Sequence, residues 1–110
     1  MELNSRKEGD AVVVSVKGRV DALTAPDFEK YLAEQADKSE KSLVVNMKEL
    51  YYISSAGLRA VLGATKKLKE KRGDMMLAEV QETVREVFEI AGFNKFLKIF
   101  DTEKSALEQI

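Results

Sequence analysis

The 110-residue chain contains no cysteine. Disulfide staples, thiol nucleophiles and thiolate metal sites are therefore excluded. It contains no histidine either, which removes the commonest general base and the commonest metal ligand. Any catalysis would fall to Asp, Glu, Lys, Ser or Tyr, so an enzyme is not expected and no cofactor or metal is called for. No apolar stretch approaches the ~20 residues that span a membrane. The polar opening MELNSRKEGD lacks the apolar centre of a secretory signal, so a cytoplasmic protein without a membrane partner is expected. Neither charge is in excess. The 18 basic and 19 acidic residues leave −1, which argues against direct nucleic-acid binding. Repeats, low-complexity tracts and linkers are absent too.

What is present suits one packed domain over residues 1–110, with 45% hydrophobic and 34% charged residues. AVVVSV (11–16) is β-branched and bounded by polar turns, so it reads as a strand. MELNSRK before it pairs with it as a hairpin turning at Gly9-Asp10. TAPDFEKYLAEQA (24–36) reads as a helix, with Thr24 as its cap and Pro26 in its first turn. SLVVNM (42–47), MMLAEV (75–80) and FLKIF (96–100) read as strands. SAGLRAVLGATKKLKEKR (55–72) and ETVREVFEIA (82–91) read as helices, with Gly73 and Gly92 as their stops. A short final helix starts at Asp101 or Thr102. Alternating strands and helices predict an α/β domain with a mainly parallel sheet, whose functional loops lie beyond the carboxyl ends of the strands.

One such junction is Ile53-Ser54-Ser55-Ala56-Gly57, between strand 42–47 with its KELYYI extension and helix 55–72. One serine can cap the helix by accepting from an orphan backbone N–H. A serine nucleophile would need the first glycine of Gly-x-Ser-x-Gly and a histidine base, and both are missing. A phosphate cradle would need more glycines and a following lysine. A phosphorylated serine remains open. It would add a charge of about −1.5 to −2 at a helix N-terminus, where the free N–H groups and the dipole accept it, so the fold would survive while the surface changed sign.

The helical pattern predicts that Leu58, Val61, Leu62, Thr65 and Leu68 point inward. Ala56, Arg59, Ala60, Gly63, Lys67 and Glu70 then point outward. The first two turns of that face are small enough to let another backbone come close. The alternative is that Ala60 and Gly63 pack beneath a neighbouring loop.

Three segments in order resemble the anti-sigma factor antagonists, the bacterial single-domain STAS proteins. KGRVDALTAPDFEKYL is similar to the family's Gly-x-(Leu/Val/Ile)-Asp-x-x-(Thr/Ser)-Ala stretch, with Gly18, Val20, Asp21, Thr24 and Ala25 in register. LVVNMKELYYISSAGLRAVLGATKKLKEKRGDMMLAEV resembles its central strand, switch loop and helix. VREVFEIAGFNKFLKIFDTEKSAL resembles its closing segment. The resemblance implies a STAS-like mixed sheet of four to five strands with helices mostly on one face. It implies two partners, an anti-sigma factor that is also a serine kinase and a serine phosphatase. The unmodified protein, a monomer when free, would bind the anti-sigma factor and release the sigma factor. Phosphorylation in the switch loop would end that binding.

The family's loop reads Asp-Ser-Ser/Thr-Gly-Leu, with phosphate on the serine after the aspartate. The match puts the acceptor at Ser55, with Ser54 as second choice. Ser54 stands where the aspartate is usual, and Ala56 replaces the second hydroxyl. The expected docking surface comprises Ser54, Ser55, Ala56, Gly57, Arg59, Ala60 and Gly63, and the resemblance places Asp21 and Thr24 at its flank. Other readings are an accessory STAS module or a small nucleotide-binding domain of another signalling or transport system. A receiver domain would need a phosphoacceptor aspartate after strand 42–47, where the chain has Asn46-Met47-Lys48.

Overall fold

Val12, Val14 and Val16 face one side of a strand and Val13 the other, so the run from residue 11 is buried on both faces. That is the pattern of an interior strand. In a computed structural model, which describes residues 1–110, this strand is β2 (Ala11–Val20), longer than the 11–16 expected. β1 (Glu2–Glu8) pairs with it antiparallel through the turn at Gly9-Asp10. β3 (Ser42–Ile53), β4 (Met75–Ala78) and β5 (Lys98–Phe100) follow in parallel, giving the sheet order β1-β2-β3-β4-β5. The helices are α1 (Ala25–Lys38), α2 (Ser55–Glu70), α3 (Glu82–Ile90) and α4 (Glu103–Leu107), with a 3₁₀ turn at Phe93–Lys95.

The KELYYI segment is part of β3 rather than a connector. It keeps pairing with β2 through two register shifts, from Ser15↔Asn46 to Lys17↔Glu49 and from Gly18↔Leu50 to Arg19↔Tyr52. Each shift leaves an extra residue on β3, and such bulges bend and twist a strand. β4 stops where Ala78 pairs with Asn46, so the last turn of β3 projects with β2 beyond the remaining parallel strands. This projection carries the Ser54 junction.

Three helices cover one sheet face. Phe28 and Leu32 of α1, Val61 and Leu68 of α2 and Val84 and Phe88 of α3 pack on Val14, Val45, Leu77 and their neighbours in one cluster. Burying side chains of this size contributes about 1.5–3 kcal/mol each. On the other face, α4 covers Val13, Val44 and Met76 with Ala106 and Leu107, leaving the rest of that face polar. The STAS-like arrangement, a mixed and mainly parallel sheet with helices mostly on one side, is the one observed.

α2 is turned differently from expectation. Its buried residues are Gly57, Leu58, Ala60, Val61, Ala64, Thr65 and Leu68, while Leu62 sits at the margin. Ala60 therefore points inward, and its expected place on the outward face is corrected. Ala60 and Ala64 pack in the same cluster as Ala25, Phe28 and Leu32 of α1. Small residues at this spacing let two helices approach closely, and that use outweighs the apolar stripe drawn through Leu62. Gly63 is exposed, and a Cβ there would meet nothing within 4 Å, so it does not lie beneath a loop.

The helix stop is also shared differently. Arg72 takes the left-handed conformation at φ 62°. The Gly73 N–H donates to the Leu68 carbonyl at 2.7 Å, and the Arg72 N–H to Lys69 at 3.0 Å. Gly73 is needed for another reason, since a Cβ there would lie 1.5 Å from the Lys41 carbonyl oxygen.

Candidate functional site

β2 and β3 end side by side, with Val20 opposite Ile53. The loop after β2 holds Asp21 to Thr24, and the loop after β3 is Ser54. The Ser54 N–H donates to the Val20 carbonyl at 2.8 Å, which fixes the two loops to each other.

The first loop is tied by its own side chains. Asp21 Oδ1 accepts from the Leu23 N–H at 3.0 Å and the Thr24 N–H at 3.1 Å. Thr24 Oγ1 accepts from the Asp21 N–H at 2.9 Å and lies 3.1 Å from the Arg19 carbonyl, to which it donates. Thr24 occupies the N-cap of α1, but its hydroxyl is turned back into this loop and does not cap the helix, contrary to expectation. The Thr24 N–H bond chiefly holds the Asp21 carboxyl below its usual range, helped by Leu23, the Thr24 hydroxyl and Arg19. This turn leaves Leu23 89% exposed.

The second loop divides the two serines. Ser54 is the N-cap of α2, with extended backbone, and its Oγ accepts from the Gly57 N–H at 3.3 Å. Ser55 is the first helical residue and its side chain is exposed. No acidic residue lies in the first turn. The positive end of the helix dipole is therefore not offset beside Ser55. Gly57 is buried, with room only for hydrogen. A Cβ would lie 2.6 Å from Ile53 Cγ1 and 2.7 Å from Val20 Cγ1. The lack of a side chain at Gly57 lets α2 start directly against the strand ends.

The structure thus brings Asp21, Thr24, Ser54, Ser55 and Ala56 to one end of the sheet, with Arg59 exposed one turn further along α2. Gly57 and Ala60 lie beneath this surface, and Gly63 is exposed in the third turn. Sequence reasoning missed Arg19, Leu23, Tyr51 and Tyr52. Arg19 sits over the Tyr52 ring at 4.6 Å and reaches Asp21 at 3.8 Å. Tyr51 and Tyr52 are 60% and 43% exposed, because the bulge at Tyr51 breaks the inward alternation. The signal was two adjacent aromatics in a strand end, and a leucine in an otherwise polar turn.

The chain belongs to the STAS domain family, whose model matches residues 2–106. BtrV of Bordetella bronchiseptica, named as a candidate anti-sigma factor antagonist, is 38% identical over 106 residues, covering 96% of this chain and 91% of BtrV. The solved structure of the anti-sigma factor antagonist SpoIIAA in its unphosphorylated form superposes with a TM-score of 0.83 at 21% identity, covering 98% of this chain and 95% of that one. The phosphorylated form of SpoIIAA from Bacillus superposes with a TM-score of 0.75 at 20% identity, covering 98% of each chain. No helix of the chain is long and apolar enough to cross a membrane.

Proposed function

We propose that this protein is an anti-sigma factor antagonist switched by phosphorylation of Ser55. In the unmodified state its strand-end surface binds an anti-sigma factor that is also a serine kinase, and the sigma factor is released. The kinase transfers the γ-phosphoryl group of ATP to Ser55 Oγ, the hydroxyl proton leaves, and ADP departs. Binding then ends until a serine phosphatase hydrolyses the ester.

One observation carries this reading: Ser54 is committed to the cap while Ser55 stands exposed beside it. The names of BtrV and SpoIIAA, and the two forms in which SpoIIAA is described, support it. The replacement of the family's aspartate by Ser54 also fits. Asp and Ser are both strong N-caps, so the helix start survives the exchange and only a charge is lost.

The magnitudes suffice. Moving an equilibrium from 1:99 to 99:1 takes about 5.5 kcal/mol. A unit-charge repulsion at 4 Å is worth about 4 kcal/mol at an effective dielectric of 20. A nearly dianionic phosphate against an acidic group of the partner reaches that range, provided it lies inside the contact and within the ~8 Å screening length. Incubation with the cognate kinase and ATP, followed by mass-spectrometric mapping, tests the assignment. Phosphate on Ser55, absent from Ser55→Ala, is expected. Label on another residue, with Ser55 unmodified, would refute it.

A further inference from the structure

The exposed face of α2 does not end at the switch serine. Ser55, Arg59, Leu62, Lys66 and Lys69 recur at steps of three and four, so they form one stripe along the helix. From Ser55 to Lys66 the stripe is about 16 Å long. Its far end forms a wall of a groove of 790 Å³, closed on the other side by Lys95 and Phe96 after α3.

This groove combines an apolar floor with a cationic rim. Leu62 and Phe96 supply the floor, and Phe96 is 64% exposed. Sequence periodicity places Phe96 in the last strand, but β5 begins only at Lys98. The left-handed turn at Gly92 and the 3₁₀ turn through Lys95 leave Phe96 outside the sheet. Lys66, Lys69 and Lys95 line the groove against one carboxylate, Glu70, in a chain whose net charge is −1. Lys69 is already paired with Asp74 at 2.7 Å. Lys66 and Lys95 make no ion pair within the chain. Exposed aromatics with nearby cations mark an interface when an anionic, partly apolar partner fits between them.

We infer that this groove is a second docking site for the anti-sigma factor: an acidic, amphipathic segment of that protein places an apolar side chain on Phe96 and Leu62 and its carboxylates on Lys66 and Lys95. The inference rests on the function proposed above. Charge complementarity selects an acidic segment, and continuity along one helix face joins the groove to Ser55. At about 16 Å from Ser55 the groove lies beyond the ~8 Å screening length, so it adds affinity without itself sensing the phosphate.

The test measures by calorimetry the affinity of the purified anti-sigma factor kinase that phosphorylates this protein. Wild type, Phe96→Ala, Lys66→Glu/Lys95→Glu and Ser55→Asp are compared, each with its thermal unfolding recorded. All four substituted side chains in the groove and switch are solvent-facing, so folding should be retained. Phe96→Ala and the double reversal should each weaken binding about tenfold or more, and the loss from the reversal should shrink in 0.5 M salt. Wild-type affinity in both groove variants, with binding lost in Ser55→Asp, would overturn the groove and leave the proposed switch standing. Losses in the groove variants with Ser55→Asp unchanged would do the reverse. Groove variants that keep the kinase but lose binding to vesicles containing anionic phospholipid would assign the groove to a membrane and overturn the inference.

Discussion

The Ser54 N–H and the Val20 carbonyl, 2.8 Å apart, bind the two loops of the site into one rigid edge. Val20 ends β2 and Ser54 directly follows the parallel β3, and Gly57 packs against the side chains of Val20 and Ile53 just beneath. Ser55, the proposed acceptor, is thus mounted at the end of the sheet rather than on a free loop. Side chains needed at fixed separations are better held this way.

Gly57→Ala tests that mounting. The added methyl must displace Val20 and Ile53, and overpacking of this kind costs about 1–3 kcal/mol. Urea denaturation should show the loss, with an unchanged slope. Stability equal to wild type would mean that the contact is loose.

The two serines should separate in stability. Ser54→Ala loses the N-cap and should cost about 0.5–1 kcal/mol, the lower part of the usual range given a 3.3 Å bond. Ser54→Asp keeps a cap and places a negative charge at the positive end of the dipole, so it should match or exceed wild type. Ser55→Ala, at an exposed first helical position, should fall within about 0.5 kcal/mol of wild type. Thermal melts of the three variants check the order. A larger loss at Ser55 than at Ser54 would reverse the cap assignment.

How far the sequence reveals this arrangement depends on which interaction decides each element. Strands and helices set by their own apolar period, such as Val12–Val16 and Phe28–Leu32, are legible. The twisted extension of β3 is not, because it depends on two bulges and on pairing with a strand far away in sequence. Ala60 and Leu62 trade places for a similar reason. Periodicity cannot say that a second helix needs alanines to come close. Thr24 reads as a cap, yet the Asp21 N–H and the Arg19 carbonyl claim its hydroxyl first. For the site itself, the serine pair and the Asp21–Thr24 loop stand out in the chain, whereas the pairing of Arg19 with Tyr52 needs the register to be known.

Acid should weaken the fold through a defined pair of contacts. Asp74 accepts from Lys69 at 2.7 Å and from Lys98 at 3.2 Å, tying the end of α2 to β5. The Lys69 bond chiefly holds its carboxyl below the usual range. A lowered carboxylate contributes stability above its unfolded value of about 3.9, and that contribution is lost as pH falls through the folded value. Asp74→Asn should therefore be less stable than wild type at pH 7, and the gap should close below about pH 4. Asp21 and Glu103, shifted in the same direction, keep the variant acid-sensitive. A gap of constant size from pH 7 to 3 would contradict the role given to Asp74.

The central claim is that charge on one hydroxyl decides association. Its most direct test is the affinity of the anti-sigma factor for the chain stoichiometrically phosphorylated at Ser55, set against the unmodified chain in the same buffer. The account predicts a loss of about a thousandfold or more, regained after phosphatase treatment. Equal affinity of the two forms would contradict it.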